Sequence, residues 1–219
     1  MNFEIDNVDL KFGSKDILSG IYLKAEEGKI TGILGPNGSG KSSLLKIFFG
    51  SLQPQNKLIR INSKPVLKPL YTSGLVKYLP QHSLIPGNLK IKKAFDFYKI
   101  GWKEFLDHFP KFEKYASANM HQLSGGEKRV AEIYLSLKSP AKLLLMDEPF
   151  SHVAPLYLEQ LTAIIRSEKS GKAIVMTDHM YRHITELADD LYLIKNGCSR
   201  KIQHLKELEE YHYLNPGTL

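Results

Sequence analysis

The sequence predicts an α/β fold built around a largely parallel sheet, and three observations carry that prediction. An apolar strand at 29–34 runs into a glycine-rich turn and then a helix at 42–49, the opening unit of a parallel sheet. Two further apolar runs, 143–146 and 173–176, end in Asp147-Glu148 and Thr177-Asp178-His179. Doubly wound sheets place their ligands at such strand ends. The chain has 219 residues, 42% of them hydrophobic and 24% charged. That length suffices for a buried core, and the composition excludes global disorder.

The elements follow in order. Phe3, Ile5, Val8, Leu10 and Phe12 alternate with mostly polar residues, the period of a half-buried strand. Residues 21–25 are its expected partner, with turn residues at 13–16. The strand at 143–146 is expected to lie beside the strand at 29–34. Irregular helical patterns cover 91–106, 131–137 and 156–166. Asn196-Gly197 between 191–195 and 198–202 predicts a hairpin, because Asn-Gly accepts the positive φ angles of a type I′ turn. A short amphipathic helix is expected at 205–211.

Composition narrows the function classes. A single cysteine, Cys198, excludes a disulfide framework and a multi-cysteine zinc site. No run approaches the ~20 apolar residues of a membrane helix, and residues 1–6 lack a signal-peptide pattern. A soluble protein with at most a peripheral membrane role is expected. The net charge of +7 is compatible with nucleic acid, an anionic membrane or an anionic ligand, and does not choose among them.

Three motifs carry chemistry. Gly35, Pro36, Asn37, Gly38, Ser39, Gly40, Lys41 and Ser42 fit G-x-x-x-x-G-K-[ST]. Glycines let backbone N–H groups wrap a polyphosphate at a helix start, where the dipole favours negative charge. Lys41 reaches the outer phosphates, and the Ser42 hydroxyl is short enough to ligate Mg²⁺. Asp147 and Glu148, 106 residues beyond Lys41, supply a carboxylate for Mg²⁺ and a base for the attacking water. Ser124-Gly125-Gly126-Glu127 reads as a capping box at a helix start, and its exposed amino end suits a second phosphate contact. No N-K-x-D guanine-reading segment occurs, since Asn56-Lys57 is followed by Leu58-Ile59.

These motifs, in this order and spacing, resemble the nucleotide-binding domain of ATP-binding cassette (ABC) transporters. The cradle at 35–42, Gln81, the signature at 123–127, Asp147-Glu148 and His179 all match. The resemblance spans essentially the whole chain. It implies a P-loop NTPase (RecA-like) core sheet, an antiparallel β subdomain and an inserted α-helical subdomain at about 83–135, together one cassette over 1–219. It also implies ATP and Mg²⁺ as ligands, with Phe12 stacking on adenine and residues 35–43, Ser43 included, around the phosphates. Ser42, Gln81 and Asp147 are implied to serve the metal, with Glu148, His179 and Lys41 as catalytic groups. Ser124, Gly125, Gly126 and Glu127 would contact the nucleotide of a second cassette in a head-to-tail dimer.

The implied activity is ATP hydrolysis that powers a separate transmembrane permease from the cytoplasmic, inner face of the membrane. Asp147-Glu-Pro-Phe150, Thr177-Asp-His179 and the short tail are similar to lipopolysaccharide-export and branched-chain amino-acid-uptake ATPases, which act as subunits separate from their permeases. Two residues depart from the family pattern. Glu127 replaces the usual Gln and should keep the cap. Ala154 replaces an interface Asp that couples the two sites, which bears on the rate and symmetry of hydrolysis. The alternatives are a non-transport cassette acting on nucleic acid and a binding-only regulatory cassette. The former usually carries a second cassette, a coiled-coil insertion or zinc cysteines, so no nucleic-acid partner is expected.

Overall fold

The computed structural model describes residues 1–218. β1 (Asn2–Phe12) and β2 (Lys15–Glu26) make an antiparallel hairpin through Gly13, whose φ of 59° suits glycine. β4 (Asn56–Ile61) pairs with β1 and β5 (Lys64–Pro65) with β4, so this sheet runs β2-β1-β4-β5. The second sheet holds β3 (Ile30–Leu34), β6 (Val76–Leu79), β7 (Leu143–Asp147), β8 (Ala173–Thr177), β9 (Asp190–Lys195) and β10 (Cys198–Ile202). Its order is β10-β9-β3-β8-β7-β6, parallel except for the β9–β10 hairpin. Asn196 and Gly197 close that hairpin with φ of 51° and 78°, as the Asn-Gly pair predicts.

β3, β7 and β8 are buried along their whole length, because both faces of this sheet are covered. On one face Ile33, Leu143, Leu145 and Val175 share a core with the antiparallel sheet and α1 (Lys41–Phe49). On the other, Ile30, Leu144, Met146 and Ile174 share a core with five helices. These are α2 (Ile91–Tyr98), α3 (Trp102–His108), α4 (Gly125–Leu137), α5 (Pro155–Glu168) and α6 (Tyr181–Leu187). α7 (Glu207–Glu210) is a single turn near the end.

Three expectations are corrected. β7 does not lie beside β3, because β8 stands between them and pairs with both. All three strands are apolar on both faces, so hydrophobicity alone does not fix their order. The helix expected over 91–106 is two helices. Lys99, at φ 58°, caps α2, and the chain restarts after Gly101. That break brings Phe95 within 5.1 Å of Trp102 and 4.7 Å of Phe105, centroid to centroid. The terminal helix spans only 207–210 of the expected 205–211. Lys195 Nζ takes the carbonyls of Tyr211 and His212 at 2.7 and 3.0 Å, and His212 turns to φ 53°, so no further helical turn forms.

Candidate active site

The 35–42 turn joins β3 to α1 and forms one wall of a cleft of about 640 Å³ at the carboxyl end of the parallel sheet. Gly35, Gly38 and Gly40 have φ of 155°, 78° and 97°. A Cβ on Gly35 would stand 2.4 Å from the Ile194 carbonyl oxygen, and one on Gly40 would stand 2.6 Å from Leu18 Cδ2. Glycine is therefore required here by backbone angle and by packing. Asn37, Gly38, Gly40, Lys41, Ser42 and Ser43 line the cleft. Pro36 is exposed beside them. Ser39 Oγ is buried with no hydrogen-bond partner among the described residues.

Lys41 is buried, and its Nζ donates to the carbonyls of Gly35 at 2.7 Å and Pro36 at 3.1 Å. Burial pushes its pKa below the ordinary lysine value, against the pull of Glu148 and Asp147. A buried ammonium whose hydrogen bonds go to carbonyls, with the carboxylates acting only at longer range, is electrostatically under-compensated. Phosphate oxygens would complete its shell.

Asp147, 2% exposed, ends β7. Its Oδ1 accepts from Ser42 Oγ at 2.9 Å and Thr177 Oγ1 at 3.0 Å, and its Oδ2 accepts from Tyr78 OH at 3.0 Å. Hydroxyl and carboxylate oxygens are the donors a hard divalent cation selects. Among the described residues no group of three or more His, Cys, Asp or Glu could hold a metal alone. A cation at these oxygens would need substrate phosphates to complete its shell, as Mg²⁺ usually does.

Glu148 lies one residue beyond the strand, at φ 46°, a strained angle for a residue with a side chain. Its Oε2 receives Gln81 Nε2 at 2.7 Å and Ser151 Oγ at 3.2 Å, and His179 Nδ1 lies 3.6 Å away. Gln81, Glu148 and His179 line the cleft together with Phe12, whose ring is 55% exposed at the end of β1. Buried Asp178 supports this corner. It accepts from the backbone N–H groups of Phe150 at 3.3 Å and Met180 at 2.9 Å, and lies 3.4 Å from His179.

The signature does not join this cleft. Ser124 caps α4 reciprocally with Glu127: Glu127 N donates to Ser124 Oγ at 3.2 Å, and Ser124 N donates to Glu127 Oε2 at 2.9 Å. Gly126 packs against the 151–154 loop, where a Cβ would meet the His152 carbonyl oxygen at 2.3 Å, whereas Gly125 faces open space. Ala154 is the N-cap of α5 and supplies no side-chain cap.

The sequence pattern did not disclose Tyr78, Ser151, Arg129 or Glu132, and it placed Thr177 at a ligand-bearing strand end without giving it a partner. The Arg129 guanidinium is buried and donates to the carbonyls of Pro80 at 2.5 Å, Asp147 at 2.7 Å, Glu148 at 3.0 Å and Pro149 at 3.1 Å. One carboxylate oxygen of buried Glu132 receives Ser83 Oγ, Leu84 N and Ile85 N at 2.7, 2.8 and 3.1 Å. α4 therefore fixes both the loop after Gln81 and the loop that carries Glu148. The spacing of a buried charge on a capped helix gives no such signal.

The fold and cleft define a P-loop nucleotide-binding protein. The family model described as "ABC transporter" matches residues 18–151, and the chain belongs to that family, as one of its ATPase subunits. It is 27% identical to a probable sulfate/thiosulfate import ATP-binding protein of Chlorella vulgaris, covering 96% of this chain and 94% of that one. It is 26% identical to a high-affinity branched-chain amino acid transport ATP-binding protein of Pseudomonas aeruginosa, covering 88% of each. A solved ATP-binding subunit of an ABC transporter superposes with a TM-score of 0.81 at 20% identity, over 99% of this chain and 95% of that one, a likeness of fold.

Proposed function

We propose that this chain is the ATP-hydrolysing cassette that drives transport through separate membrane subunits, and that two cassettes close on ATP to do so. The observation that carries the reading is a divided set of motifs. The cradle, Glu148 and His179 share one cleft, while the signature lies outside it with Ser124 and Gly125 exposed. A head-to-tail pair would bring Ser124, Gly125, Gly126 and Glu127 of one copy to the nucleotide of the other. We assign residues 1–219 to one cassette, with 83–135 as its helical subdomain. The cited relatives are named for different cargoes, sulfate and branched-chain amino acids, so what they share with this chain is the motor. Attachment at the inner face of the membrane would come through the permease. Among the described residues no helix is long and apolar enough to cross a membrane.

In this reading Phe12 stacks on the adenine, and N–H groups of residues 38–43 hold the phosphates. Lys41 Nζ exchanges its carbonyl partners for phosphate oxygens. Ser42 and Asp147 would hold Mg²⁺, and Gln81, whose Nε2 is engaged by Glu148, would offer its carbonyl oxygen. The cation, when bound, offsets charge on the β- and γ-phosphates. Glu148 accepts a proton from the attacking water as its oxygen bonds to the γ-phosphorus. The bond from that phosphorus to the β–γ bridging oxygen breaks, leaving ADP and phosphate. His179 steadies the γ-phosphoryl group.

Glu148→Gln tests this. It should bind ATP, lose about a hundredfold or more of its turnover, and accumulate as an ATP-bound dimer in size-exclusion chromatography. Wild-type turnover would contradict the assignment of the base. Ala154 favours a second reading, a binding-only switch. No hydrolysis above background in either the wild type or Glu148→Gln would establish it instead.

A further inference from the structure

The Asp147 carboxylate carries two contacts that the proposed mechanism leaves unused, from Thr177 and from Tyr78. Its Oδ1 serves Ser42 and Thr177, whereas its Oδ2 accepts only Tyr78 OH, at 3.0 Å, among the hydrogen bonds described. Tyr78 lies on β6, the edge strand next to β7, in register with Leu145. Its ring is tilted against Phe49, the last residue of α1, with centroids 5.5 Å apart. α1 thus presents Ser42 to the carboxylate at its start and Phe49 to the phenol ring at its end. A phenol hydroxyl 3.0 Å from a carboxylate oxygen is the donor of that pair.

This geometry matters for a group that must hold its orientation while its partners change. When Ser42 Oγ turns from Asp147 to a cation, Thr177 and Tyr78 remain, one on each carboxylate oxygen. Two donors on opposite oxygens block rotation of the carboxylate about its bond to Cβ. Groups that orient a metal-binding side chain from behind contribute to metal affinity without touching the metal.

We propose that Tyr78 is a positioning residue for the cation site, holding the Asp147 carboxylate in its metal-binding orientation through its hydroxyl. The proposal rests on the assignment of Asp147 above. It is tested with Tyr78→Phe, which keeps the ring and its packing on Phe49. Mn²⁺ binding to the full chain loaded with ATP is followed through the paramagnetic resonance signal of free Mn²⁺. The expected result is about tenfold weaker Mn²⁺ binding, with unchanged ATP affinity in EDTA. The Mg²⁺ concentration for half-maximal hydrolysis should rise to the same extent, while the rate at saturating Mg²⁺ falls by less.

Two companion variants make the result decisive. Phe49→Leu disturbs the ring packing but spares the hydroxyl, and should leave Mn²⁺ affinity near wild type. An equal loss in Phe49→Leu would show that packing, not the hydroxyl, is responsible, and would overturn the proposal. Asp147→Asn should weaken Mn²⁺ binding more than Tyr78→Phe does. Unchanged affinity in Tyr78→Phe, with a loss in Asp147→Asn, would overturn the role of Tyr78 alone. Unchanged affinity in both would overturn the cation site as well.

Discussion

Lys41 shows how the proposed phosphate-binding residue is held. Its ammonium is buried, its pKa is lowered by that burial, and its Nζ rests on the Gly35 and Pro36 carbonyls. Those dipoles keep the charge in the cleft without matching a phosphate in strength. A charge-assisted hydrogen bond contributes about 2–3 kcal/mol. Lys41→Ala should therefore weaken ATP binding by roughly a hundredfold, measured by titration with a fluorescent nucleotide. Unchanged affinity would contradict the cradle. The motif around Lys41 is fully legible in sequence because backbone angle dictates its glycines. The partners of Asp147 are not, because Ser42, Tyr78 and Thr177 come from three separate segments.

Among the elements, α4 and α5 show what a helix start contributes. α4 begins with the reciprocal Ser124–Glu127 cap, so replacement of the family's usual Gln by Glu127 keeps the local structure. Its next turn carries Arg129 and Glu132 inward to the two loops that bear Gln81 and Glu148. The exposed Ser124–Gly125 end and the loops that bear Gln81 and Glu148 are thereby tied to one helix. α5 begins at Ala154 without a side-chain cap, followed by Pro155. Ala154→Asp would give the Leu156 N–H group at the start of α5 an acceptor and should stabilise the fold by about 1 kcal/mol, read from urea unfolding. No gain would mean that the 151–154 loop cannot reorient the new carboxylate. The capping box was plain in sequence, whereas the break between α2 and α3 was not. Lys99 at φ 58° is held by packing around Phe95, Trp102 and Phe105, which local propensity does not specify.

At the scale of the molecule, the two sheets are joined by a charged seam as well as by their shared core. Glu26 ends β2, where it meets Lys24 and Lys29 at 2.7 Å each, and Lys29 reaches Asp190 at the start of β9 at 3.2 Å. Hydrogen bonding from Lys24, then Lys29, holds the Glu26 carboxyl at about 2, below its ordinary 4.5. A carboxyl whose pKa is depressed by folding contributes stability that is complete above its unfolded pKa. That contribution is lost as pH falls from about 4.5 towards 2. Glu26→Gln should lower stability at neutral pH and shrink the loss between pH 4.5 and pH 3, measured by urea unfolding at each pH. An unchanged slope would show that the seam is fully screened by solvent.

By itself the sequence determined the parallel α/β class, the glycine-rich turn from β3 to α1, the capping box and the Asn-Gly hairpin. Each is written in neighbouring residues, as a backbone angle, a side chain reaching three residues along, or a period of two. Only the tertiary structure decided that β8 separates β3 from β7, and that Tyr78 and Thr177 hold Asp147. It alone placed Arg129 across two loops and kept the signature out of the cleft. Those facts depend on which buried surfaces meet, and three strands apolar on both faces satisfy the hydrophobic effect in more than one order. Hydrogen bonds between distant segments, such as those of Tyr78 and Thr177 to Asp147, then distinguish the observed order.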